Sequence, residues 1–508
     1  MELELQTTDI EAYEVADGLT LAQDESAETI VPDYCPDMAR VIAAEGAVFL
    51  HGQELREGRA QITGSVQVNI LYAPDGESGV RALEVSLPFT AESADRALSD
   101  CEEVAAETVI ESLETRTLNP RKVFTRCRLS TRLTGYRKKT LRLTTDVLSG
   151  GGHRLEKRRE RQKLSLPAQV VRREFEFSDA LTLPPGRPGA VELLCASAAP
   201  SVAETRIIGN KLICKGVFAL SVLYLTDEGE CASHAAELPF SQILEIAEAP
   251  EDAPASVRVT LSGADIRLDG GDPDGREIEV TLYLDAFAVV RREWELELLR
   301  DFYSTAFRTR YDAAPLAAVE AWESRTRRQS AREVLETSVP ADEILSLRIL
   351  CGAVAADADG LRCPVIIRAL YGDEGGATLA AERRAEVRCE ADLPDGWQVT
   401  ARAEVLEEPR GSVSERGLDV RFTVDFRTEE ARTAQIPCVT AAELDEDAPK
   451  ETADAPSLVL RRMSAGESAW DMAKACDSTV EAILGANCLT DEAELPRDAL
   501  ILIPRQRG

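Results

Sequence analysis

The chain has 508 residues and a formal net charge of −32, from 58 basic and 90 acidic residues. A chain of this length is expected to divide into several domains, and 44% hydrophobic residues are enough to form their cores. The acidic excess argues against binding to nucleic acid or to an anionic membrane surface, because both would be repelled.

The first residues, Met-Glu-Leu-Glu-Leu, are acidic and lack the apolar stretch of a secretory signal. No run of apolar residues approaches the roughly 18 that a membrane-spanning helix needs. We therefore expect a cytoplasmic protein without a membrane span. In a reducing cytosol the twelve scattered cysteines, none of them in a CxxC pair, are expected to be buried free thiols.

One strand pattern occurs three times and ends each time in a Leu-Tyr pair, at Tyr72, Tyr224 and Tyr371. Counting back in twos from the tyrosines gives only apolar residues: Ile70, Val68, Val66; Val222, Leu220, Phe218; Ala369, Ile367, Val365. This period of two predicts strands that bury one face, tyrosine included. The tyrosines lie 152 (224 − 72) and 147 (371 − 224) residues apart, which predicts three similar β units.

The fold class predicted from these repeats is mainly β, with three tandem antiparallel sandwich or barrel-like units at 1–155, 156–320 and 321–440. Each unit is expected to close with a long hairpin that has one apolar and one charged face. The charged segments 150–163 and 313–332 are interpreted as connectors, with a helix as one alternative for the second. The third unit is predicted to have lost about one strand between Cys351 and Cys363.

The composition of the chain and the spacing of its apolar residues change after residue 440. Residues 441–457 are acidic and contain proline, which predicts a flexible tether. Residues 458–508 switch to helical spacing between two short apolar runs, and the predicted order is β-α-α-β. Trp470, on the first of these helices, is interpreted as a core residue.

Catalytic chemistry is not indicated by any motif. The three histidines, His51, His153 and His234, lie far apart in the sequence, and no phosphate-binding GxxxxGK[ST] loop occurs. The acidic turn at 269–275 resembles a calcium loop, but Thr281 takes the position where such a loop needs glutamate, so a hairpin turn is favoured. The sequence therefore predicts a non-enzymatic protein without catalytic residues, cofactor or metal.

The last 51 residues resemble a LysM module. The resemblance rests on Gly-Glu-Ser-Ala-Trp at 466–470, Asn-Cys-Leu at 487–489 and Leu-Ile-Pro at 502–504. Asp477 departs from the family pattern, because a glycine often ends the first helix there. In LysM modules a glycan groove forms between the loop before the first helix and the loop after the second. The resemblance therefore implies partner or glycan contacts at Gly466, Glu467, Ser468, Asn487 and Thr490.

The repeats themselves resemble the SPOCS domain of endospore-forming bacteria. The motif Val-Pro-Asp-Tyr-Cys-Pro-Asp at 31–37 and the Leu-Tyr strand ends carry this resemblance. Tandem SPOCS units followed by one LysM module are similar to spore-coat assembly proteins. That likeness implies a mother-cell cytoplasmic scaffold at the forespore surface, with the coat-morphogenesis ATPase (stage IV sporulation protein A) and other coat proteins as partners. The alternative is a protein that binds peptidoglycan or cortex glycan through the LysM module.

Overall fold

The computed structural model describes residues 1–76, 79–357, 359–393, 395–450, 456–464, 466–495 and 499–506. The described chain is mainly antiparallel β-sheet, with two short helices near the carboxyl end. The prediction of a mainly β fold is therefore confirmed.

The first unit contains six strands in two three-stranded sheets, with the orders β1-β6-β5 and β2-β3-β4. The strands are β1 (Glu4–Ile30), β2 (Met38–Arg56), β3 (Arg59–Pro74), β4 (Arg81–Ser93), β5 (Glu103–Asn119) and β6 (Lys122–Leu148). Apolar side chains from both sheets share one buried core, so the unit is a sandwich.

The second unit repeats this arrangement, with the sheet orders β7-β12-β11 and β8-β9-β10. Its strands are β7 (Glu156–Thr182), β8 (Glu192–Ile208), β9 (Lys211–Leu225), β10 (Cys231–Glu245), β11 (Ala255–Leu268) and β12 (Glu277–Tyr303). Its core is again shared between the two sheets.

The third unit has the same two sheets with small interruptions. Its strands are β13 (Phe307–Leu335), β14 (Ala341–Cys351), β15 (Ala355–Asp357), β16 (Gly360–Asp373), β17 (Thr378–Cys389), β18 (Trp397–Glu404), β19 (Arg410–Ser414) and β20 (Gly417–Pro449). Strand β20 pairs with β13, β18 and β19, and β16 pairs with β14, β15 and β17. The prediction of a lost strand was wrong, because the shorter sequence here shortens two paired strands and removes neither of them.

The three repeated tyrosines are fully buried in the three cores, as predicted. Each hydroxyl contacts the loop that follows the first strand of its own unit. Tyr72 donates to the Pro36 carbonyl at 3.3 Å and Tyr224 to the Pro188 carbonyl at 3.1 Å, while the Tyr371 hydroxyl lies 3.2 Å from that of Ser338. Burial raises the pKa of Tyr72 to about 12, so its hydroxyl remains a donor at neutral pH.

Most of the two segments predicted as connectors belongs to long strands, so that interpretation was wrong except for residues 150–155, which form the loop between β6 and β7. Residues 156–163 lie in β7 and residues 313–332 lie in β13, paired with β12 and β20. The charges that suggested a solvated connector have partners on neighbouring strands. Lys157 and Arg159, for example, both pair with Asp146 of β6, at 2.8 and 2.9 Å.

The flexible tether was also predicted wrongly for residues 441–449. These residues form the end of β20, where Ala442 and Leu444 are buried and Glu443 and Asp445 are exposed. Ala442 and Leu444 are two positions apart and so lie on the same face of the strand, which buries that face despite the acidic composition. Residues 451–455 of the predicted tether lie outside the described part of the chain.

The three units close into a ring, because each contacts the other two. Leu71, Leu223 and Leu370, which immediately precede the buried tyrosines, point away from their own cores and share one apolar cluster at one end of the ring. At the other end the long strands of all three units share a second apolar cluster: Ile10, Ala12, Leu141, Leu143, Leu164, Leu166, Leu298, Ala318, Ile436 and Cys438.

Arginine side chains connect the units between these two clusters. Arg132 of the first unit donates to the Ala401 carbonyl of the third unit at 3.3 Å. Arg427 of the third unit donates to the Val202 carbonyl of the second at 2.6 Å. Arg172 of the second unit donates to the Gln53 carbonyl of the first at 3.0 Å, which completes the cycle.

The last part of the chain has the predicted βααβ order. Strands β21 (Leu458–Arg461) and β22 (Ile501–Pro504) pair with each other, and α1 (Ala469–Ala475) and α2 (Val480–Ala486) lie between them in sequence. Within the described residues, no helix has the length and apolar character needed to cross a membrane.

Candidate functional site

The loop that leads into α1 is held by its own polar side chains. Ser468 caps the helix by accepting from the Asp471 amide at 3.2 Å, and the Asp471 carboxylate accepts from the Ser468 amide at 2.9 Å. These two bonds form a capping box. Hydrogen bonds from Ser468, first its hydroxyl and then its amide, lower the pKa of Asp471.

Glu467 is likewise engaged inside the loop. Its carboxylate accepts from the Ser464 amide at 2.9 Å and pairs with Arg461 on β21. The Ser464 amide first, and Arg461 second, lower the pKa of Glu467. The ionised carboxylate therefore stabilises the loop in this conformation.

Asn487, at the end of α2, holds the second loop against β22. Its amide nitrogen donates to the carbonyls of Ile483 and Leu502, both at 2.7 Å, and its amide oxygen accepts from the Leu502 amide at 2.9 Å. The side chain is only partly exposed and these bonds occupy it. Its position indicates a positioning residue.

The two loops meet at the same end of the β21–β22 ribbon. Glu467 pairs with Arg461, which faces Ile501, and Asn487 binds the next position, Leu502. Gly466 and Thr490 are exposed, while Ser468 and Glu467 are partly buried. The structure thus brings Glu467 and Asn487 to the same ribbon end, and a contact role for the five predicted residues stays a prediction.

Trp470 is buried, as predicted, but its partners come from the second unit. Its indole ring packs edge-on against Tyr303 of β12, with ring centroids 4.9 Å apart, and its Nε1 donates to Asp301 at 2.7 Å. Lys474 donates to both oxygens of the same carboxylate, at 2.7 and 2.9 Å. The Tyr303 hydroxyl donates to the Ser478 carbonyl at 2.8 Å. One face of α1 is therefore covered by the end of β12.

Asp477, the departure from the LysM pattern, takes part in the same junction. Its backbone has the left-handed conformation that glycine usually supplies there, with φ of 48°. Its carboxylate accepts from Lys450 at 2.6 Å and pairs with Arg505. Lys450 also donates to the Ser304 carbonyl at 2.8 Å. An aspartate at this position thus ties the C-terminal unit to the ring.

Asp301, Tyr303 and Lys450 were not identified from the sequence. Asp301 lies 169 residues from Trp470, and a charged residue near the end of a strand carries no local sign of such a partner. The pairing of Trp470 with an acceptor was the available signal, because a buried indole N–H usually finds one.

The histidines and the acidic turn do not form a site with one another. His51 contacts the Ser65 hydroxyl at 2.9 Å and His153 contacts Glu446 at 2.9 Å, in separate places. The Asp272 carboxylate accepts amides inside its own turn, from Asp274 at 3.0 Å and Glu277 at 2.8 Å, which confirms a hairpin turn. The part of the chain that the structure describes contains no group of three His, Cys, Asp or Glu residues placed to hold a metal.

A known family model matches part of the chain. Residues 191–269 match the family model described as SipL, SPOCS domain. The matched segment covers the sheet β8-β9-β10 and strand β11, within the second unit. No curated protein matches the chain closely enough to count as a relative.

Proposed function

The chain carries a SPOCS domain, which links it to sporulation, and from this premise we propose a non-enzymatic scaffold of endospore coat assembly. In this proposal the protein acts in the mother-cell cytoplasm at the forespore surface. Its C-terminal unit, residues 458–506, is a LysM-like module that binds the coat-morphogenesis ATPase, a protein like stage IV sporulation protein A. The family match to the second unit is the observation that carries the proposal.

The way the C-terminal unit is fixed supports a scaffold. Trp470, Lys474 and Asp477 hold it against β12 and the segment that follows, so its orientation relative to the ring is set. A preorganised surface loses less conformational freedom on binding than a tethered one. The side of the C-terminal unit that faces away from β12 is therefore the one presented to a partner.

The exposed side of the unit indicates the chemistry of that partner. Beyond α2 the exposed residues Thr490, Asp491 and Glu492 follow, by three to five positions in the chain, Asn487, which binds the ribbon end where both loops meet. Acidic residues at the rim of an interface speed association with a basic surface and select for it. We therefore assign the contact to this rim and give Ser468 and Asn487 positioning roles.

The test uses the full chain and the purified ATPase. Glu492→Arg and Thr490→Arg each reverse or add charge on the rim, and we expect each to weaken ATPase binding about tenfold or more. Glu248→Arg is the matched control, because Glu248 is also an exposed loop glutamate but lies on the second unit. Binding that is equally strong in all three variants would refute the rim assignment.

A second arm of the same experiment separates the glycan alternative. The intact protein is incubated with purified peptidoglycan and, separately, with the ATPase. Retention on peptidoglycan without uptake of the ATPase contradicts the scaffold proposal and favours glycan binding. In sporulating cells a fluorescent fusion is expected at the forespore, and the Glu492→Arg fusion is expected to be dispersed.

A further inference from the structure

A cavity of about 690 Å³ lies inside the ring, between the long-stranded sheets of all three units. Strands β1, β5 and β6 of the first unit, β7, β11 and β12 of the second, and β13, β18 and β20 of the third contribute to its wall. We call it the inner cavity. Its volume is in the range of sites that bind small molecules.

Two nitrogen donors in its wall have no acceptor among the described residues. Arg291 is 7% exposed, and its Nε makes no hydrogen bond, although its Nη1 donates weakly to the Ser165 carbonyl at 3.4 Å. The guanidinium of Arg291 lies 4.6 Å from the ring centre of Trp322, whose buried Nε1 also lacks an acceptor. Buried hydrogen-bond donors nearly always have an acceptor. The two donors without one therefore indicate that a ligand with an acceptor atom enters the cavity.

The charge of the wall has the sign that would attract such an acceptor. Four basic side chains line the cavity, Lys139, Arg258, Arg291 and Arg402, against two acidic ones, Glu14 and Glu429. Lys139 pairs with Glu14 at 3.2 Å and Arg258 with Glu107 at 3.8 Å, which leaves Arg291 and Arg402 with one carboxylate, that of Glu429. Burial lowers the pKa of Arg402, and within the described chain its guanidinium forms no ion pair. A desolvated cation of this kind is stabilised by an anion.

Aromatic rings complete the wall and indicate the rest of the ligand. Tyr136, Phe287 and Trp322 line the cavity, and the rings of Tyr136 and Phe287 are 5.3 Å apart. Strand β1 has a bulge between Ala16 and Leu19 at the cavity edge, where Val15 is 37% exposed. Bulges are common next to binding sites because they redirect a strand locally. Val15 thus both lines the cavity and is accessible from the surface.

We propose that the inner cavity binds a small aromatic carboxylate. The carboxylate accepts from Arg291, Arg402 and the Trp322 Nε1, and the ring packs against Tyr136 and Phe287. One carboxylate of the protein, Glu429, lines the same space, and with Arg291 and Arg402 the wall remains net positive. This site is independent of the proposed ATPase contact, which lies on the C-terminal unit.

The test is calorimetric titration of the full chain with benzoate and phthalate. Phthalamide, the neutral counterpart of phthalate, and inorganic phosphate, an anion without a ring, are the comparison ligands. We expect phthalate or benzoate to bind and both comparison ligands to bind at least about tenfold more weakly. Phthalamide lacks the negative charge that the arginines bind, and phosphate lacks the ring that packs against Tyr136 and Phe287. Absence of binding by both carboxylates refutes the proposal, and water then fills the cavity. Stronger binding of phosphate than of the carboxylates refutes it too.

Two variants locate the binding. Arg402→Met removes a cation that has no ion pair to lose, and Trp322→Phe removes the N–H donor while keeping an aromatic ring. We expect each to weaken carboxylate binding about tenfold or more, with circular dichroism unchanged. Arg56→Met is the matched control, because Arg56 is highly exposed and pairs only with its neighbour Glu54. Carboxylate binding that survives both cavity variants at full strength places the ligand elsewhere and refutes the proposal.

Discussion

Individual polar side chains in this protein form hydrogen bonds that join one element or one unit to another. Asn487 makes three hydrogen bonds that join α2 to β22, although the LysM resemblance implied a contact role for it. Asp285 of β12 accepts from Gln53 at 3.1 Å and so links the second unit to the first, while its other oxygen has no partner. Both residues show that the sequence alone does not reveal which groups a polar side chain hydrogen-bonds.

Asn487→Ala is expected to destabilise the C-terminal unit by about 2 kcal/mol, because three hydrogen bonds are lost and the backbone groups of Leu502 lose their partners. Hydrogen exchange of the α2 and β22 amides measures the effect. Glu481→Ala, at an exposed position of the same helix, is the control and should change protection little. Unchanged protection in Asn487→Ala would contradict the positioning role.

Two aspartates are expected to respond to pH with opposite signs. Burial raises the pKa of Asp285 above 3.8 in the folded state, so its ionisation weakens folding as the pH rises above that value. Asp285→Asn should therefore gain stability relative to the wild type between pH 3 and pH 7. Backbone amides, first that of Arg276, lower the pKa of Asp272, so its contribution is present above 3.8 and lost as the pH falls. Urea unfolding across this range checks both signs, and Asp272→Asn should lose stability relative to the wild type at pH 7.

At the scale of elements, the long strands connect the three sandwiches to one another and to the C-terminal unit. Each of these long strands has one end in a sandwich: β6, β7, β12, β13 and β20. Beyond the sandwich each strand continues to the second apolar cluster or to the C-terminal unit. The end of β12 carries both Asp301 and Tyr303, so the strand that closes the second unit also holds α1. A strand that serves two cores explains why the charged segments between units are not separate connectors.

Asp301→Ala should loosen the C-terminal unit from the ring, because the Trp470 N–H and the Lys474 ammonium lose their shared acceptor. We expect a loss of about 2 kcal/mol in docking, seen as faster hydrogen exchange in α1 while the exchange of the three sandwich cores stays the same. Glu297→Ala, an exposed residue of the same strand, is the control. Equal exchange in α1 of both variants would mean that the contact does not hold the unit.

At the scale of the whole molecule, the ring depends on the residue beside each repeated tyrosine. In a strand, neighbouring side chains point to opposite faces. Each Leu-Tyr pair therefore sends the tyrosine into its own sandwich and the leucine into the cluster that the three units share. One dipeptide thus builds both the unit and the assembly.

Leu370→Asp is expected to separate the units without unfolding them, because a carboxylate replaces a leucine that is 4% exposed among apolar neighbours. Small-angle scattering should show a larger radius of gyration, and far-ultraviolet circular dichroism should change little. Leu370→Ala is expected to cost about 2–5 kcal/mol without opening the ring fully. Val413→Asp, at a position 42% exposed in the same unit, serves as the control and should leave the dimensions unchanged.

The sequence determined the parts that depend on local periodicity. Apolar residues at every second position predicted the strands and the buried tyrosines, and helical spacing between two short apolar runs predicted the βααβ order. The SPOCS resemblance was recognisable from short motifs, and the family match confirms it within the second unit. These features are set by residues close together in the chain, so a reading of the chain can find them.

Only the tertiary structure decided how the parts meet. Composition suggested a charged connector at 313–332 and a flexible tether at 441–449, yet both are strands, because their charged residues face out or find partners on strands far away in sequence. The ring, the inner cavity and the contact between Asp301 and Trp470 all join residues more than a hundred positions apart. Periodicity specifies which face of a strand is buried, but the partner that buries it is chosen by packing in three dimensions.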